Sequence, residues 1–159
     1  MKTDAYLSED RQYRYWLRRV WAEEKALLCV IGVNPSTADE RENDATIRKD
    51  IGFARRLGFG GILMLNVGAY RSRDPLKWRQ APDMIGPENS AEHLKGYVKR
   101  FRAAKVVAAW GKNGNYAIAQ CESIIGAFPE LWCWGLNQDA TPVHPLMLSY
   151  STPLRRFRE

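Results

Sequence analysis

The run Ala26-Leu27-Leu28-Cys29-Val30-Ile31-Gly32-Val33 is apolar from end to end and stops at Asn34-Pro35. A strand with no polar face has nothing to show to water. It therefore belongs in a sheet covered on both sides, as parallel sheets are. Pro35 has no N–H for the ladder, so the strand ends there. Further apolar runs of strand length follow at 62–67, 106–111 and 131–136. Between them lie segments of helical period. The first, 44–57, carries apolar Ile47, Ile51, Ala54 and Leu57, with Asn43 or Asp44 as its cap. The others span 88–103, which ends in basic residues, and 116–127. Strands alternating with helices predict an α/β fold: a three-layer αβα sandwich around a central, mostly parallel four-stranded sheet. Residues 13–21, rich in aromatic and β-branched side chains, add an N-terminal edge strand or hairpin. No repeat, low-complexity tract or linker interrupts the pattern, so one domain is expected over 1–159.

Cys29, Cys121 and Cys133 are dispersed and form no C-x-x-C pair, which argues against a disulfide framework or a metal cluster. The acidic run Asp39, Glu40, Glu42 and Asp44 reads as a solvated loop ending in a helix cap. No metal and no cofactor are expected. No apolar run approaches the roughly 20 residues that span a bilayer. The polar start Met1-Lys2-Thr3-Asp4 is no signal peptide, so a soluble cytoplasmic chain without a membrane partner is expected. The formal net charge of +6 favours a polyanionic partner, because neutralised phosphates release counterions.

Ligands of such sheets bind beyond the carboxyl ends of the parallel strands. The polar residues directly after the apolar runs are Asn34, Asn66, Lys112 with Asn113, and Asn137 with His144 beyond it. Asn34 either caps the turn or holds a water, since an amide both donates and accepts. Asn66, inside Leu65-Asn66-Val67, needs partners, supplied either by neighbouring backbone or by a ligand edge with one donor and one acceptor. His144 lies in Thr141-Pro142-Val143-His144-Pro145-Leu146, where prolines stiffen the loop. It is either structural or able to hydrogen-bond a leaving group that gathers negative charge. His93 sits on a charged helix and reads as solvated. Leu146 and Met147 either pack or wedge between base pairs. Arg71, Arg73 and the closing Arg155-Arg156-Phe157-Arg158 are candidates for phosphate contacts. Trp16, Trp21, Trp110, Trp132 and Trp134 read as core.

Taken in order, these motifs resemble the uracil-DNA glycosylase superfamily. Gly32-Val33-Asn34-Pro35 is similar to the first motif of its thymine- and mismatch-specific branch, G-I-N-P-G. Leu65-Asn66-Val67-Gly68-Ala69-Tyr70-Arg71 resembles an N-V-V-K-C-R stretch, and Val106 to Gly111 resembles the apolar strand ending in W-G. His144-Pro145-Leu146 resembles the second catalytic motif. Trp16-Leu17-Arg18-Arg19-Val20-Trp21, Asn34-Pro35-Ser36-Thr37-Ala38-Asp39 and Asn43-Asp44-Ala45-Thr46 also resemble a small bacterial and phage family without assigned chemistry.

The superfamily resemblance implies a monofunctional DNA glycosylase acting on a damaged, deaminated or hypermodified base, in repair or phage–host conflict. Asn34 would position the water that attacks C1′, and His144 would stabilise the departing base. Asn66, with Thr46 and Tyr70, would bind that base. Arg71, Arg73, Lys112, Leu146 and Met147 would engage DNA, Leu146 and Met147 filling the gap a flipped base leaves. The chain departs from the pattern at Ser36, where glycine is usual, at Leu146, where serine is common, and in lacking the stacking aromatic and the cluster cysteines. These departures point away from ordinary uracil. The alternatives are a catalytically inactive nucleic-acid-binding relative and a nucleoside- or nucleotide-processing enzyme on the same fold.

Overall fold

The computed structural model describes residues 1–158. Its centre is one seven-stranded sheet in the order β1-β2-β4-β3-β5-β6-β7. These strands are β1 Lys2–Leu7, β2 Arg14–Val20, β3 Leu27–Gly32, β4 Gly61–Asn66, β5 Ala103–Ala108, β6 Leu131–Cys133 and β7 Arg155–Arg156. Strands β4, β3, β5 and β6 pair in parallel. The flanking pairs β1·β2, β2·β4 and β6·β7 are antiparallel. The class is α/β, and the sheet is wider and more mixed than the four-stranded one expected. The N-terminal segment forms a hairpin in which β1 takes the edge and β2 lies inside the sheet. The 13–21 segment is therefore no edge strand, and its burial shows it.

Alternation along β3 and β4 builds two cores. Cys29, Ile31, Leu63 and Leu65 pack on one face with Leu94 of α3 (Ala91–Phe101) and Cys121 and Ile124 of α4 (Ile118–Ala127). Leu28, Val30, Ile62 and Met64 pack on the other with Ile47, Phe53 and Ala54 of α1 (Ala45–Arg56). Each such fully buried aliphatic side chain contributes about 1.5–3 kcal/mol. Asp44 caps α1 by accepting from the Ile47 N–H at 2.9 Å.

One local expectation is revised. The expected helix 116–127 is a 3-10 turn, Lys112–Ala117, followed by α4. The stretch after Asp74 holds a short helix, α2 (Pro75–Arg79). Its Trp78 is fully buried and donates through Nε1 to the Met84 carbonyl at 3.0 Å. That indole pins the irregular segment to the sheet. A Cβ on Gly68 would come within 2.5 Å of the Trp78 ring, so the close approach requires glycine there.

Candidate active site

Strands β3 and β4 end side by side, with Gly32 in register with Asn66. Beyond that end lies a cavity of about 50 Å³, lined by the Asn34 loop, the start of α1, Asn66 and His144, with Arg14 and Met64 closing its inner wall. It has room for a water or two rather than a base. Asn34, Thr46, Asn66 and His144, far apart in sequence, thus share one cavity. Tyr70, Lys112, Leu146 and Met147 do not line it. No phenylalanine, tyrosine or tryptophan side chain does either, so its apolar walls are Val33, Pro35, Ile47 and Met64.

Asn34 uses its amide nitrogen on the chain itself, donating to the Ser72 carbonyl at 2.8 Å and to the Pro35 carbonyl at 3.1 Å. Its Oδ1 is the end left for a ligand, and an amide oxygen only accepts. The turn-capping and water-holding readings of Asn34 are therefore compatible, one for each end of the amide.

Asn66 is 2% exposed. Its Oδ1 accepts from Arg14 Nη2 at 3.2 Å, and its Nδ2 has no partner in the chain. An unpartnered buried N–H group costs about 1–3 kcal/mol. The expected pairing of one free donor with one free acceptor is thereby narrowed: the donor is what Asn66 offers. Its backbone carbonyl accepts from Asn89 Nδ2 at 2.9 Å, which ties the strand end to the start of α3. Gly32 fits closely beside it. A Cβ there would lie 2.7 Å from Met64 Cε and 3.1 Å from Asn66 Nδ2.

His144 is carried by a loop docked on the end of β5, where the Gly111 N–H donates to the Pro142 carbonyl at 2.8 Å. Gly111 has φ +65°, a conformation suited to glycine, and its α-carbon faces His144. The Leu146 N–H donates to His144 Nδ1 at 3.2 Å. Nδ1 is therefore unprotonated and the ring proton sits on Nε2, leaving a neutral N–H donor. Burial pushes the His144 pKa below its ordinary value, and the nearby Asp44 charge opposes that shift.

Arg14 escapes a sequence reading that treats its strand as an edge. It is 2% exposed, donates through Nη1 to the Ala38 carbonyl at 3.0 Å, and has an Nε without a partner. Burial lowers its pKa to about 10, so it stays a cation. The signal was weak: Arg14 opens a strand that also carries Arg18 and Arg19 among its aromatic and apolar residues. Asp50, on the buried side of α1, was missed as well. Both its oxygens lack partners, and burial raises its pKa well above the ordinary carboxylate value.

Two arginines, Arg71 and Arg19, grip the loop 36–43. Arg71 donates to the carbonyls of Ser36 (3.0 Å), Thr37 (3.1 Å) and Arg11 (3.1 Å). Arg19 reaches the carbonyls of Asp39 and Glu42 and Asn43 Oδ1. Arg71 thus clamps the loop through its guanidinium. Arg73 stays exposed, beside Ser36, Thr37 and Ser72 in a shallow depression next to the cavity. The closing segment is anchored by its one aromatic residue. Phe157 is buried against Trp110, while Arg156 and Arg158 pair with Glu130 and Glu122. Met147 is 91% exposed and Leu146 39%. Among the described residues, no group of side chains could hold a metal ion, and no helix is long and apolar enough to cross a membrane.

The family described as "Protein of unknown function (DUF1643)" matches residues 14–146, a span that begins at Arg14, ends just past His144 and contains every residue lining the cavity. No curated protein and no solved structure matches the chain.

Proposed function

The chain belongs to the DUF1643 family, and from that footing we propose that it is a monofunctional DNA glycosylase on a uracil-DNA glycosylase-like fold, removing a damaged, deaminated or hypermodified base. One observation carries this reading: Asn34, Asn66 and His144 converge on one cavity with complementary free ends. Asn34 offers an acceptor through Oδ1, Asn66 a buried unpartnered donor, and His144 a neutral Nε2–H. Cleavage of an N-glycosidic bond needs a positioned water, donors aimed at the charge that gathers on the base, and shelter from bulk solvent. The cavity supports each of these needs.

In this reading Asn34 Oδ1 accepts a hydrogen from the attacking water. Asn66 Nδ2 donates to an acceptor on the base edge, and His144 Nε2–H donates to the base as it leaves. The cavity is smaller than a base, so a base enters only when the Met64 side chain or the 144–147 loop shifts. An unbranched thioether suits that movement. Met147 and Leu146, exposed beside His144, would fill the duplex gap. Arg73 and Lys112, both exposed, remain as phosphate contacts.

The test is incubation with labelled oligonucleotides carrying uracil, hypoxanthine, mismatched thymine and hydroxymethylated or glycosylated pyrimidines, followed by alkali to break abasic sites. Strand breaks that vanish in Asn34→Ala and His144→Ala support the reading. Cleavage that survives both removes the assigned roles. Salt-sensitive duplex binding without cleavage of any base favours an inactive DNA-binding relative. Failure to bind DNA at low salt removes both.

A further inference from the structure

We propose that Asp44 is the general base of this site, taking the proton from a water that it and Asn34 hold between them. The inference rests on the glycosylase reading and assigns a step which that reading leaves without a proton acceptor.

The carboxylates near the cavity are separated by their partners. Asp39 Oδ1 accepts from the backbone N–H groups of Arg41 and Glu42, each at 2.8 Å, and its Oδ2 faces Arg11 at 3.4 Å. Glu40 is held by Arg11 at 3.0 Å. Asp50 does not line the cavity, and its burial raises its pKa well above the ordinary carboxylate value. Asp44 alone of these lines the cavity alongside Asn34 and His144. Its Oδ1 accepts from the Ile47 N–H at 2.9 Å, which holds the carboxylate at the start of α1. Among the described residues no hydrogen bond uses its Oδ2. The titratable groups that feel its charge include the cations Arg14 and Arg19 and, beside them, Asp50 and His144.

Position and chemistry then agree. Asn34 Oδ1 and Asp44 Oδ2 are acceptors, so together they can take both hydrogens of one water and leave a lone pair free for C1′. Asn66 Nδ2 and His144 Nε2–H are donors. Heterolysis of the glycosidic bond makes the sugar positive and the base negative, and the cavity supplies a carboxylate for the first and donors for the second. As the water oxygen bonds to C1′, the C1′–N bond breaks and its electron pair stays on the base. One water proton passes to Asp44 and from there to solvent, and the released base takes a proton from solvent. The sum is base–sugar plus water giving sugar–OH plus base–H.

Asp44→Asn and Asp44→Ser both keep a side-chain acceptor for the Ile47 N–H, so each preserves the cap while removing the carboxylate. Single-turnover cleavage of a duplex bearing the base that the wild type removes is followed at neutral pH, with duplex affinity and the urea midpoint measured in parallel. Both variants should lose at least ~100-fold in rate with affinity and midpoint unchanged. Rates within about threefold of a cleaving wild type overturn the role of Asp44 and leave the glycosylase reading standing. A wild type that leaves every base in place overturns both.

Discussion

Arg14 Nη2 donates to Asn66 Oδ1 at 3.2 Å, within a wall where each residue is 2% exposed. A guanidinium has donors only, so the Asn66 oxygen must face it and the Nδ2 must turn away. The cation thereby decides what the cavity offers a ligand. Arg14→Met keeps much of the volume but frees the amide and leaves the Ala38 carbonyl without its donor. A stability loss of about 1–3 kcal/mol is expected from the acceptor left unsatisfied, read as a shift in urea midpoint. Arg14→Lys should retain more stability yet lose base discrimination, because one ammonium does not reproduce the two-branched contact.

Gly32→Ala tests how tightly the strand end is fitted. The new Cβ meets a flexible Met64 terminus at 2.7 Å and the oriented Asn66 amide at 3.1 Å. Overpacking of this kind costs about 1–3 kcal/mol. Cleavage should fall more than stability does, since the displaced group is the proposed reader. Paired denaturation and cleavage assays separate the two.

His144 makes stability fall on acidification. Its folded pKa is depressed below the ordinary 6.5 by burial. Between those two values the unfolded chain binds more protons than the folded one, so stability rises with pH there. The contribution is complete above about pH 6.5 and is lost as pH drops through the folded value. Urea titrations across that window should show a slope that His144→Gln lacks, and the imidazole resonances should titrate below the usual histidine range.

Arg71 and Arg73 are neighbours with different fates. Arg71→Ala removes donors from three carbonyls of the chain and should cost about 1–3 kcal/mol. Arg73→Ala, at an exposed position, should leave the midpoint within about 0.5 kcal/mol while reducing the salt slope of DNA binding. The opposite pattern would return Arg71 to the phosphate surface.

Met147→Ser probes the loop beside His144. At 91% exposure the side chain does little for the fold, so the midpoint should move by no more than about 0.5 kcal/mol. Duplex cleavage should slow by about tenfold or more while single-stranded cleavage holds, because only the duplex has a gap to fill. Equal effects on both substrates would remove the wedge role.

The order of strands and helices is legible in the chain itself. The runs ending at Gly32 and Asn66 have no polar face, and burial on both sides is the only inexpensive place for them. Asn34 and Asn66 follow from the same logic, since the residues just past parallel strands meet at one rim. The partners of polar groups were not legible. Arg14 reads as a surface charge on an edge strand until β1 closes the hairpin beside it and Asn66 faces it. Arg71 reads as a phosphate contact until the loop 36–43 folds across its guanidinium. Apolar burial is encoded by local periodicity, whereas a hydrogen-bond partner is fixed by whichever distant segment arrives. Only the tertiary structure therefore decided that Asn66 offers a donor, that Arg71 is committed to the chain, and that Asp44 lines the cavity while Asp39 does not.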